Sequence, residues 1–99
     1  MEGKWFWFVH EGGRFPVSFR PYGVLFSPEY TTSSSYAYAI DAAQAMVVRI
    51  DFGKYGQYEL RSVSPSGTHF EGSLVQHPEK WRRLEFIRDF TEGIPSSQP

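Results

Sequence analysis

Apolar and polar residues alternate with a period of two along most of this chain. Phe15, Val17 and Phe19 are interleaved with Arg14, Ser18 and Arg20, and Val48, Ile50 and Phe52 with Arg49 and Asp51. Tyr58 and Leu60 stand two positions apart in Gln57 to Val63. Such alternation sends one set of side chains to each face of a strand, apolar inward and polar outward. The run Lys4 to His10 departs from it: Trp5, Phe6, Trp7, Phe8 and Val9 are bulky at both parities, the mark of a strand covered on both faces.

Turn chemistry separates these runs. Glu11-Gly12-Gly13 supplies a tight turn, and Pro21-Tyr22-Gly23 offers a fixed φ followed by a glycine, which suits a type I turn closed by a bulge. Val24-Leu25-Phe26 is then a third strand, and Ser27-Pro28-Glu29 with the Thr31–Ser35 tract a polar connection. A strand follows over Tyr36–Ile40. Five alanines between Ala37 and Met46 favour helix, so one helical turn is expected at most around Asp41–Ala45. Gly53-Lys54-Tyr55-Gly56, Ser64-Pro65-Ser66-Gly67 and His77-Pro78-Glu79 bound the remaining strands. Trp81 to Phe90 fits strand or helix by spacing and is assigned as strand because its neighbours are all hairpins.

Turns recur roughly every ten residues and no connection is long enough for a βαβ crossover. The pattern predicts an all-β fold: an antiparallel up-and-down meander of seven or eight strands, closed or nearly closed into a small barrel that hides its edges. The barrel is expected to occupy residues 1–90 as a single domain, with a disordered C-terminal tail over 91–99.

Composition narrows the partners. Ten basic and eleven acidic residues leave a net charge of −1, a weak field for nucleic acid or an anionic membrane. There is no Cys, which removes disulfides, thiolate chemistry and Cys-ligated metals. The first residues lack the basic start and apolar run of a signal peptide, and no run is long enough to span a membrane, so a cytoplasmic location is expected.

Gly3-Lys4-Trp5 at the head of the first strand resembles the Gly-x-Trp that opens lipocalins and related calycin-type barrels. Trp81-Arg82-Arg83 in the last strand supplies the Arg that packs over that Trp in such proteins. The resemblance runs from Gly3 to Arg88 as an order of hairpins. The chain departs from a true lipocalin in being much shorter and in lacking its disulfide and C-terminal helix. What the resemblance implies is a small lipocalin-like barrel whose first and last strands are joined through Trp5 and Arg82 or Arg83, with room for an internal ligand and no transferred activity.

Candidate sites follow from the barrel. Its interior is either filled by aromatic side chains or hollow enough for one small hydrophobic ligand; in the second case Tyr36, Tyr38, Tyr58, Phe19 and Phe70 would line the site. The two-sided first strand offers a second candidate, an interface of Trp5, Phe6, Trp7 and Phe8 for a homodimer or another protein partner. Chemistry is sparse. No Ser stands in a nucleophile-elbow context and Gly12-Gly13 lacks a phosphate-loop pattern. His69 and Glu71 share one face of a strand and are the sole basis for an enzyme reading, with both expected to face solvent; exposure is likewise expected of His10 and His77. Seven Arg against three Lys would suit a single-strand nucleic-acid groove, but Arg49 is expected to face Asp51, and Arg61 Glu59. The expectation is therefore a non-catalytic binding or interaction module with no catalytic residues, cofactor or metal.

Overall fold

The structure is a computed structural model that describes residues 2–28, 34–64 and 66–89; the expected tail over 91–99, Phe90 and most of the Thr31–Ser35 tract lie outside the described residues. The described chain forms eight strands: β1 (Lys4–His10), β2 (Gly13–Arg20), β3 (Val24–Phe26), β4 (Ser35–Ile40), β5 (Met46–Asp51), β6 (Gln57–Ser62), β7 (His69–Leu74) and β8 (His77–Asp89). Each pairs antiparallel with the next, and β8 returns to pair with β1, so the meander closes into a barrel. Trp81 to Asp89 is strand, as its hairpin neighbours imply.

Closure follows from alternation. Phe6 and Phe8 of β1, Phe15, Val17 and Phe19 of β2, Val48 and Ile50 of β5, Tyr58 and Leu60 of β6, Phe70 of β7 and Leu84 of β8 all turn inward into one buried cluster. Gly23 and Gly67 hold the left-handed φ that their turns require, +74° and +70°.

Four local expectations are corrected. Trp5 does not meet Arg82 or Arg83. In the β1–β8 register Val9 lies opposite Arg83 and Trp5 opposite Arg88, because one extra residue of β8, Ile87, is accommodated between the Trp5–Arg88 and Phe6–Phe86 pairs. Asp41–Ala45 is no helical turn: Asp41 Oδ1 accepts from the Ala43 and Ala45 amides at 2.9 and 3.0 Å, and Gln44 takes φ +65°. The β2–β3 turn is not type I, since Tyr22 itself adopts φ +63° ahead of Gly23. The arginines do not pair along their own strands: Arg49 meets its cross-strand neighbour Glu59 at 2.8 Å, because such neighbours stand closer than residues two apart on one strand, and Arg61 meets Asp41 of the β4–β5 turn at 2.6 Å.

The outer surface of β2 is also more covered than alternation implies. Ser18 and Pro16 are fully buried on the face opposite Phe15 and Val17. Trp5 pairs with Ser18 and Trp7 with Pro16; Trp5 meets the edge of Phe26 at 6.2 Å. Arg20 lies over the Phe26 ring at 4.2 Å and donates Nε–H to Ser18 Oγ at 3.0 Å. A second apolar layer thus lies on the outside of β1–β3, roofed by guanidinium.

Candidate functional site

The two ends of the barrel interior are built differently. Towards the end that carries the β2–β3 turn, Phe6 meets Phe19, Phe70 and Phe86 edge-to-face at 5.5, 6.1 and 5.8 Å. Val17, Leu60 and Leu84 fill the spaces between these rings, all without solvent exposure. This part of the interior is packed.

Two of the expected ligand residues, Phe19 and Phe70, are components of that packing. Tyr36 caps it: its ring stands edge-on to Phe19 at 4.9 Å and its hydroxyl donates to the Arg20 carbonyl at 2.8 Å. Burial raises the Tyr36 hydroxyl pKa, with smaller contributions from Glu2 and Tyr38. Tyr38 stacks on Tyr36 at 6.2 Å but is 52% exposed. The physical reason is the β3–β4 seam, which holds a single register pair, Val24 with Ser35, so that β4 beyond Tyr36 runs past the β2–β3 turn.

At the opposite end the inward-facing residues enclose a cup of about 200 Å³ lined by Phe8, His10, Phe15, Phe52, Tyr55, Tyr58 and Arg82. Its apolar wall is four rings in mutual contact: Phe8 lies 5.2 Å from both Phe15 and Phe52 and 5.4 Å from Tyr58. Tyr58, one of the expected ligand residues, lines this cup, although its hydroxyl donates to the Tyr55 carbonyl at 2.9 Å and so is committed to the β5–β6 turn.

The polar part of the cup comes from β1 and β8. Both strands carry inward positions that change from apolar to polar as they approach this rim: Phe6 and Phe8 give way to His10, and Phe86 and Leu84 to Arg82. Arg82 lies over the Tyr58 ring, its Cζ 5.2 Å from the centroid. Its side chain is 13% exposed, and its Nη1 donates to Glu11 Oε1 at 2.7 Å and to the Trp81 carbonyl at 2.7 Å. A guanidinium this enclosed needs an anionic partner, and Glu11, on the β1–β2 turn, provides it. The Glu11 pKa is lowered, chiefly by a hydrogen bond from its own backbone; desolvation opposes this, and Arg82 and then His10 lower it further. His10 Nδ1 accepts from the Gly12 amide at 3.1 Å, which places the proton of the neutral ring on Nε2.

The residues expected to form an interface separate onto two faces. Phe6 and Phe8 are enclosed in the interior and are closed to a partner, a consequence of strand alternation in a closed wall. Trp5 and Trp7 lie outside. Trp5 is only 2% exposed, and Trp7 is half-buried with the Arg14 guanidinium 4.1 Å from its ring. His69 and Glu71 are exposed on β7 in register with Glu85 and Arg83, while His77 is exposed beside Glu79 at 3.4 Å. Among the described residues, no three His, Asp or Glu side chains gather as a metal site, and no helix is long and apolar enough to cross a membrane.

Compared with known protein families, with curated proteins and with solved structures, the chain matches none. The cup is thus known from its own geometry. His10, Phe52, Tyr55 and Arg82 were not among the expected ligand residues. The available signal was parity: Arg82 shares the alternation of Leu84 and Phe86, which places a cation on an inward position.

Proposed function

We propose that the protein is a non-catalytic binding module of lipocalin-like build, whose site is the aromatic cup at one mouth of the barrel rather than its packed end. The observation that carries this reading is the cup itself: about 200 Å³ bounded by four aromatic rings, with an enclosed guanidinium at its rim. Cavities on the order of 150 Å³ with apolar walls accept benzene, so the volume suits a ligand of one ring with a short substituent. It is too small for the drug-sized molecules that fill pockets of roughly 300 Å³ and above. An apolar wall with few convergent polar groups is the usual form of a small-molecule site. The lipocalin-like part of the reading is supported by the Gly3-Lys4-Trp5 start and by an arginine of the last strand, Arg88, standing opposite that tryptophan.

Titration with neutral one-ring probes, indole and benzyl alcohol, followed by NMR of the aromatic and amide resonances, tests the proposal. Saturable shifts confined to Phe8, Phe15, Phe52, Tyr58 and their neighbours are expected. Shifts that fail to saturate, or that fall on other parts of the barrel, would overturn it.

A further inference from the structure

Arg82 is used on one side only. Nη1 carries both of its hydrogen bonds, to Glu11 and to the Trp81 carbonyl. Among the described residues Nη2 and Nε donate to no protein acceptor. Guanidinium groups are built to grip a carboxylate through two parallel N–H donors, and this one leaves such a pair of donors unused at the rim of an apolar cup. Its present partner is also the more weakly held of the two: the Glu11 side chain is 49% exposed, against 13% for Arg82. Glu11 sits at the start of the Glu11-Gly12-Gly13 turn, so a rotation of its side chain would return the carboxylate to water and leave the guanidinium in place. The enclosed guanidinium needs an anion, but not this one in particular.

We infer that the cup takes small apolar monocarboxylates, the ring or alkyl part against Phe8, Phe15, Phe52 and Tyr58 and the carboxylate on Arg82, and that Glu11 is a tethered competitor which the ligand displaces. The inference rests on the reading of the cup as a binding site. Displacement keeps the guanidinium paired throughout, since one carboxylate replaces another on it while that of Glu11 returns to water. It also explains why an inward position of β8 carries a cation whose counter-ion comes from a turn rather than from the barrel wall.

The test is calorimetric titration at pH 7 of phenylacetate and of its neutral counterpart phenylacetamide into the full chain, Glu11→Gln and Arg82→Met. Phenylacetate is expected to bind roughly ten-fold more tightly than the amide. Glu11→Gln is expected to raise the affinity for the acid several-fold and leave that for the amide unchanged, while Arg82→Met reduces the acid to the level of the amide. Glu11→Gln alters an exposed side chain and keeps the test independent of whether Arg82→Met folds. If acid and amide bind equally and Glu11→Gln changes neither, the inference is overturned while the cup stands as a site for neutral ligands. If the acid is preferred but Glu11→Gln leaves it unchanged, Glu11 is not the competitor. Saturable binding of neither compound overturns the reading of the cup itself.

Discussion

The two ends of the barrel interior use the same kind of side chain to opposite effect. At one, Phe6, Phe19, Phe70 and Phe86 meet edge-to-face and aliphatic side chains close every gap between them. At the other, Phe8 meets Phe52 and Tyr58 edge-to-face and Phe15 at a tilt, at similar distances, yet a cup remains. Ring count does not account for the difference. The packed end completes its layer with Val17, Leu60 and Leu84, which can be wholly enclosed, whereas the cup completes its layer with His10 and Arg82, whose polar tips must stay near water or a counter-charge. In a barrel this small, polar residues at inward positions decide whether an end packs shut or stays open.

Truncating one ring at each end tests that contrast most severely. Phe6→Ala should cost about 3–5 kcal/mol in urea unfolding, because the surrounding rings cannot collapse into the space and a cavity is added to the lost transfer energy. Phe52→Ala should cost only the transfer part, about 1.5–3 kcal/mol, since water can enter from the cup. Equal costs would mean that the cup is no more open than the core.

Backbone conformation at the packed end provides the next effect. A side chain on Gly23 meets the left-handed penalty of about 1–2 kcal/mol, and its Cβ would lie 3.1 Å from the Tyr36 carbonyl oxygen. Gly23→Val should therefore lower the unfolding midpoint while leaving probe binding at the far cup unchanged.

The ends should also respond to opposite extremes of pH. The Tyr36 pKa is raised by burial, so its contribution to stability is complete below the ordinary tyrosine range near ~10 and is lost as pH rises through the folded value. The Glu11 pKa is lowered, so its contribution is present above the ordinary glutamate value near ~4.3 and is lost as pH falls through the folded one. Thermal melts of Tyr36→Phe and Glu11→Gln should show these components removed, the first from the alkaline limb and the second from the acid limb.

The smallest expected change is a gain. Tyr22 is fully exposed and holds φ +63°, so it bears the strain of a left-handed residue without packing in return. Tyr22→Gly should stabilise by at most about 1 kcal/mol, offset in part by the greater chain entropy of glycine. A loss of stability would show that the ring makes a contact worth more than the strain.

The wall of the barrel was legible in the sequence because alternation and turn chemistry act over a few residues. Phe15, Val17 and Phe19 declare their face, and Gly23 and Gly67 their conformation. Side-chain partnerships between distant strands were not legible. Trp5 stands opposite Arg88 rather than Arg82 or Arg83 because register across β1 and β8 is set over more than eighty residues and shifted by the bulge at Ile87. Tyr38 shares the parity of Tyr36 yet escapes the interior, since alternation carries no information on where β3 stops. Arg82 was visible as an inward-parity cation; that Glu11 would meet it depends on the β1–β2 turn reaching across the rim to β8.

The β1–β8 pairing bears on how the molecule assembles. Seven of the eight seams join strands adjacent in sequence, and each can form from a short length of chain. The eighth brings Lys4 against Asp89, with their charged groups 2.9 Å apart, and must wait for a loop of almost the whole barrel to close. Loop entropy grows only slowly with length, but non-local strand pairing of this kind places folding on the millisecond-to-second scale, roughly, rather than in microseconds. That one seam therefore closes off the two edges of the sheet, β1 and β8, which would otherwise present unpaired backbone groups to other chains.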